Sequence, residues 1–272
     1  MKQFILPSPP DSRGRVRLTG RDFHYLVRVR RLKEGAVFTA RLPDGGEPGG
    51  SREVRVLVQS LSDKALTGEC LPMELSDEMS DGETALPPII LFQALPKGAK
   101  LDLIVRQAAE GGITEIRPFV SDYSIPKGSA AAGGTANCAA RVERWRRIIK
   151  EARQQSGSAI TTEIAAPCTV EALLEYWEAV KGRSSRPLGI LLHQAPLVQG
   201  GFHDYLSSDP DLVAFAVGPE GGFSPEEVAE FLAAGFKPLV IGKTILRTET
   251  AALYAAAAVR IILLERAVWT LK

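Results

Sequence analysis

The strongest constraint on this chain begins at residue 88. From there, unbroken apolar runs of strand length alternate with segments of helical period. The runs are IILFQAL, EIRPFV, LGILLHQ, LVAFAVG and PLVIG. Between and after them stand AKLDLIVRQAAEGG, RVERWRRIIKEARQQ, TVEALLEYWEAVK, SPEEVAEFLAAG and TETAALYAAAAVRIILLE. A strand with no polar side must be buried on both faces. The alternation therefore predicts an α/β domain over 88–272, with a mostly parallel sheet covered by helices on both sides. Ligands of such sheets bind beyond the C-terminal strand ends. The segment SIPKGSAAAGGTANCAA (124–140) reads as a mobile surface loop.

Residues 1–72 differ. AVFTARL and REVRVLVQSL alternate apolar and polar residues, the period of half-buried strands, and LPDGGEPGGS between them carries turn chemistry. One short helix is expected at RDFHYLVRVRR. This segment holds 13 Lys and Arg against 8 Asp and Glu, although the whole chain carries only +1. An acidic stretch, MELSDEMSDGETA, begins a linker over 73–87. Three separated cysteines match no metal spacing, so no metal is expected and a reducing, cytoplasmic setting is. The apolar stretch AALYAAAAVRIILLE is cut by Arg260 and is too short to span a membrane.

Two loops carry chemistry. GPEGG (218–222) follows the buried strand LVAFAV, and Ser224, Pro225 and Glu227 then start a helix with a capping box. Strand, glycine loop and helix form the layout of a phosphate cradle. Here the loop has no lysine and contains Glu220. A carboxylate about 4 Å from a phosphate charge costs roughly 4 kcal/mol at an effective dielectric of about 20. The GKT at 242–244 lacks the earlier glycine of a P-loop, since that position is Lys237. GKTILRTET follows the next strand and opens the last helix, which brings two ligand-capable loops to one sheet edge. Arg247 is a fixed cation there, beside Thr248, Glu249 and Thr250; the hydroxyls also suit a helix cap.

GPEGGFSPEE followed by IGKTILRTETAALYA resembles the ribosomal RNA small-subunit methyltransferase E family, a branch of the SPOUT superfamily. FHYLVRVRRLKEG, ALPKGAKLDLIVRQAAEGGITEIRPF and RWRRIIKEARQQSG extend the resemblance over the whole chain. It implies a PUA-like β-barrel followed by an α/β domain with a deep trefoil knot. It further implies S-adenosyl-L-methionine as cofactor, a homodimer, and methylation of uridine N3 in 16S rRNA of the small ribosomal subunit. Carried onto this chain, the cofactor loops are those at His193, at Gly218, Pro219, Glu220, Gly221 and Gly222, and at Ile241, Gly242, Ile245, Leu246 and Arg247. The family pattern Glu-Gln-x-Gly-Arg reads Gln154-Gln155-Ser156-Gly157-Ser158 here, without its acid and its arginine. A related enzyme acting on another RNA or base, or a binding factor without catalysis, remains an alternative.

The residues are consistent with that chemistry. Glu220 either holds its loop or faces a cationic ligand. Arg247 is placed to stabilise negative charge on a uracil oxygen. Glu249 either acts as a base or orients Arg247 and the helix start. Between residues 13 and 33 there are seven arginines and one lysine against Asp22. Arg28, Arg30 and Arg31 there, with Arg144 and Arg147 of the basic helix, are the candidate RNA-backbone contacts. Trp145, Ile148 and Ile149 mark the buried face of that helix.

Overall fold

The computed structural model describes residues 4–43, 53–71, 86–124, 135–194 and 200–266. Most of the predicted turn in LPDGGEPGGS, the acidic stretch 73–85 and the middle of the 124–140 segment lie outside these residues. The chain divides into two compact units. One is Met1–Gly82 with Arg153–Thr161, the other Glu83–Ala152 with Thr162–Lys272.

The first unit contains β1 (Phe4–Ile5), β2 (Arg15–Thr19), α1 (Gly20–His24), a π-helical turn (Tyr25–Val29), β3 (Val37–Arg41), β4 (Glu53–Leu61) and β5 (Ala65–Leu71). The strands lie in the order β1-β3-β4-β5-β2, with only β1 and β3 parallel. Period-two alternation turns Val16, Leu18, Phe38, Ala40, Val54 and Val56 into one core. The single helix expected at RDFHYLVRVRR changes character midway. Arg30 N donates to Tyr25 O five residues back, at 2.9 Å, which widens the turn. Leu26 is thereby fully buried while Arg28 and Arg30 stay exposed. Arg31 ends the turn with φ of 57°, the left-handed region.

The second unit runs β6 (Ile89–Ala94), α2 (Lys100–Glu110), β7 (Glu115–Phe119), α3 (Thr135–Ser156), β8 (Glu163–Ile164), α4 (Val170–Lys181), β9 (Pro187–Leu192), α5 (Phe202–Leu206), β10 (Leu212–Val217), α6 (Pro225–Ala233), β11 (Phe236–Leu239) and α7 (Thr248–Arg266). The sheet order is β11-β9-β10-β6-β7-β8, and every pair is parallel. β6 and β10 are buried at every residue, which is why they read as unbroken apolar runs. Their side chains divide between two cores. Ile89, Leu91, Val213 and Phe215 join residues of α2, α3, α5 and α7. Ile90, Phe92, Ala214 and Ala216 join residues of α4 and α6.

Two boundaries differ from the sequence reading. α3 starts at Thr135, so residues 135–140 belong to a helix rather than to a surface loop. Ala136, Ala139 and Ala140 there are strong helix formers. β11 starts at Phe236 and stops at Leu239, short of Gly242. Phe236 pairs with Gly189, whose missing side chain makes room for the ring: a Cβ at Gly189 would lie 3.0 Å from it. Pro238 is tolerated because β11 is an edge strand.

The helix after GPEGG is anchored from outside as well as capped. Glu227 is 4% exposed and accepts from Ser224 N (2.9 Å), Ser121 Oγ (3.0 Å) and Asp122 N (3.0 Å). Ser224 Oγ accepts from Glu227 N and donates to Asp122 Oδ2 (2.8 Å). The capping box thus also ties α6 to the chain leaving β7. Glu227→Ala strands three donors, and we expect it to cost about 2–3 kcal/mol. A fall in the urea midpoint at unchanged slope checks this.

Candidate active site

The C-terminal ends of β9, β10 and β11 open into a cleft of about 530 Å³. Sheet order explains the convergence. β9 lies between β10 and β11, so the chain leaving each strand meets the other two. Leu192, Val217 and Leu239 end these strands and line the cleft. His193, the loop after Val217 and the loop from Val240 to Arg247 form its walls, joined by Lys100 and Ala251.

The GPEGG loop is folded back on itself. A Cβ at Gly218 would lie 3.2 Å from the carbonyl carbon of Gly222, and Gly222 has φ of 75°. Both positions therefore favour glycine. Phe223 pins the downstream end by stacking on Phe119 (ring centroids 6.3 Å apart) and meeting Phe231 edge-on at 5.3 Å. The upstream end is held by a buried relay. Thr248 Oγ1 donates to Gly218 O (2.8 Å) and accepts from Gln93 Nε2 (2.9 Å). Gln93 Nε2 also donates to Ala94 O (3.0 Å). One hydroxyl at the start of α7 thus connects β6 with the loop after β10.

Glu220 sits at the rim. Its carboxylate accepts from Lys100 Nζ (2.6 Å) and from Lys97 N (3.2 Å). Partial burial works to raise the Glu220 carboxyl, but the hydrogen bonds from Lys100 and the backbone outweigh it and hold it below the ordinary glutamate range. Glu220 therefore both lines the cleft and ties its loop to the start of α2. Glu249 is not a lining residue. Its Oε2 lies 4.0 Å from Lys100 Nζ and has no hydrogen-bond partner, although the atom is buried. Burial pushes His193 below the usual imidazole range, which favours its neutral form. Its backbone N donates to Leu239 O (3.2 Å) and extends the β9–β11 pairing to the cleft.

The expected cofactor residues His193, Gly218, Pro219, Glu220, Gly222, Ile241, Gly242, Ile245, Leu246 and Arg247 all line this cleft. Gly221 does not; it packs against Tyr123, and a Cβ there would lie 3.0 Å from the tyrosine Cβ. Arg247 and Lys243 are exposed at the opening. The basic candidates lie elsewhere. Arg28, Arg30 and Arg31 are exposed on the first unit. Arg144 is paired with Asp102, and Arg147 Nε donates to Glu143 O (3.3 Å), so part of the charge of α3 is spent within the fold. Among the described residues there is no His, Cys, Asp or Glu group arranged to hold a metal, and the three cysteines are free. Among them, too, no helix is long and apolar enough to cross a membrane.

Sequence reasoning missed Gln93 and Lys100. Gln93 had a legible signal, because it is the one polar residue in IILFQAL. Lys100 had none, since its role depends on where Glu220 and Glu249 come to lie. Thr248 was legible as a loop hydroxyl or a helix cap, but not as the link between β6 and the glycine loop.

The family described as RNA methyltransferase domain matches residues 83–260, and the RNA methyltransferase PUA domain matches 18–47. The ribosomal RNA small subunit methyltransferase E of Synechocystis sp. is 33% identical over 91% of this chain and 73% of its own length. That of Bacillus subtilis is 29% identical over 95% of this chain and 92% of its own. The crystal structure of the Neisseria gonorrhoeae ribosomal RNA small subunit methyltransferase E bound to S-adenosyl methionine is 27% identical. It covers 96% of this chain and 98% of its own, with a TM-score of 0.72.

Thr248→Val removes the relay hydroxyl and leaves Gly218 O and one Gln93 donor without it. We expect a loss of about 1–3 kcal/mol, while Thr248→Ser keeps most of the stability. Chemical denaturation of the two variants side by side decides this.

Proposed function

The chain belongs to the ribosomal RNA small subunit methyltransferase E family, and on that footing we propose that it transfers a methyl group from S-adenosyl-L-methionine to N3 of a uridine in 16S rRNA. The observation that carries this is the convergence of three strand-end loops, with Arg247, on one cleft.

The residues fit the donor. A volume of about 530 Å³ is within the usual range for small-molecule sites. The floor of Leu192, Val217 and Leu239 is apolar and suits an adenine ring, and the tight GPEGG turn brings backbone groups close to the cleft. Such polar backbone edges beside an apolar floor match a nucleoside. When bound, S-adenosyl-L-methionine supplies a methyl group already activated on a sulfonium.

What the protein adds is alignment and charge. The Gln93–Thr248–Gly218 relay fixes two of the three loops relative to each other, and alignment is the main gain available to a displacement of this kind. Uridine N3 carries a proton that must leave, and its loss places negative charge on the uracil oxygens. Arg247 is exposed at the cleft opening, where its guanidinium meets that charge. Glu249 is two residues along the same helix start. Its side chain lies outside the cleft lining, so it fits a role in steadying Arg247 and the helix start better than one in taking the proton.

The basic first unit, with Arg28, Arg30 and Arg31 exposed, binds the rRNA backbone, and Arg144 and Arg147 on α3 add to it. The setting is the cytoplasm, where ribosomal subunits are made. The active form is a homodimer. Supporting this, α7 exposes Tyr254 (58%) and Ile261 (55%) seven residues apart on one face.

Methyl transfer to unmodified small subunits, with the product nucleotide identified by mass spectrometry, tests the reading; labelling of a different RNA or base would sink it. Arg247→Ala is expected to keep the fold while lowering turnover about a hundredfold. For the dimer, Tyr254→Asp combined with Ile261→Asp should convert the particle to a monomer in light scattering. An unchanged mass would place the subunit contact elsewhere.

A further inference from the structure

Three charged side chains from separate parts of the chain meet at the cleft rim. Lys100 Nζ is 2.6 Å from Glu220 Oε1 and 4.0 Å from Glu249 Oε2. Two carboxylates share one ammonium, so the group carries a net charge of −1. The sharing is unequal. Lys100 is committed to Glu220, and Glu249 Oε2 is buried with no hydrogen-bond donor. An acceptor left in that state favours the arrival of positive charge. The exposed cations of the cleft, Lys243 and Arg247, lie instead on the loop after β11. Glu249 itself stands only two residues beyond Arg247, behind the cleft lining, whereas Lys100 and Glu220 line the cleft from two other segments.

We propose that Lys100, Glu220 and Glu249 act together as a charge selector that makes the cleft prefer the cationic methyl donor to its spent form. The proposal rests on the donor-site reading given above. In the transfer, the N3 lone pair forms the new N–C bond, the C–S bonding pair stays on sulfur, and the N3 proton leaves to a base. The sulfonium cation therefore becomes a neutral thioether, S-adenosylhomocysteine. Apart from the methyl group and that charge, the two molecules are the same. A net −1 group attracts the first and is indifferent to the second, so the attraction ends when the methyl group leaves. Product inhibition is correspondingly weaker than the shared adenosine contacts alone would give.

The test is calorimetric and needs no turnover. Affinities for S-adenosyl-L-methionine and S-adenosylhomocysteine are measured on the whole protein, and their ratio is followed. Changing the group by one unit charge is expected to alter donor binding roughly fivefold. Glu249→Gln should lower the donor-to-product preference by about that factor, and Lys100→Met should raise it by a similar one. The double variant should return towards the wild type. Added salt should shrink the wild-type preference, which checks the idea without any substitution. S-adenosylhomocysteine affinity serves as the control for an intact cleft. A ratio that stays within about twofold in both variants and in salt, or that moves the same way in both, would overturn the selector. Failure of the wild type to bind either compound would instead overturn the donor-site reading, and the selector with it.

Discussion

The hydroxyl of Thr248 is the point on which the cleft depends. It accepts from Gln93 at the end of a central strand and donates to Gly218 at the start of the glycine loop. Each partner is a group that burial makes costly to leave unpaired. Gln93 is fully buried in a strand that is otherwise apolar, which is affordable only because its amide donors are used. Thr248 is 5% exposed at the N-terminus of α7. Loosening this bond would free the GPEGG loop at one end, leaving Phe223 to hold the other.

The second support is electrostatic and lies at the rim. Lys100 fastens the GPEGG loop through Glu220 while facing Glu249 at longer range. The loop is thus held by a dry neutral contact on its inner side and a wet ionic contact on its outer side. The first is insensitive to salt; the second is not. A site built this way keeps its floor rigid and leaves its entrance responsive to what binds there.

Much of this was visible in the residues alone. The unbroken apolar strands fixed a parallel sheet, and the sheet fixed the edge at which the cleft opens. Ser224, Pro225 and Glu227 marked the start of α6 to the residue. What was not visible shares one cause. Periodicity reports which side of an element is buried and says nothing of which strands become neighbours. That β9 enters between β10 and β11 is such a fact, and so is the meeting of Lys100 with Glu220 across 120 residues. Local composition misled where tertiary packing decided the outcome. Phe236 entered β11 because Gly189 left space for its ring. The alanines of 135–140 are a different case, since their own helix propensity suits them to α3.

The relay also dates the site within the life of the chain. Gln93 and Thr248 stand 155 residues apart, and no shorter part of the sequence contains both. α7 supplies Ala252, Ala255, Ala256, Val259 and Leu263 to the larger core as well as the hydroxyl that fixes the glycine loop, so neither is complete until that helix is in place. α7 therefore completes core and cleft together, and a chain interrupted before it lacks both.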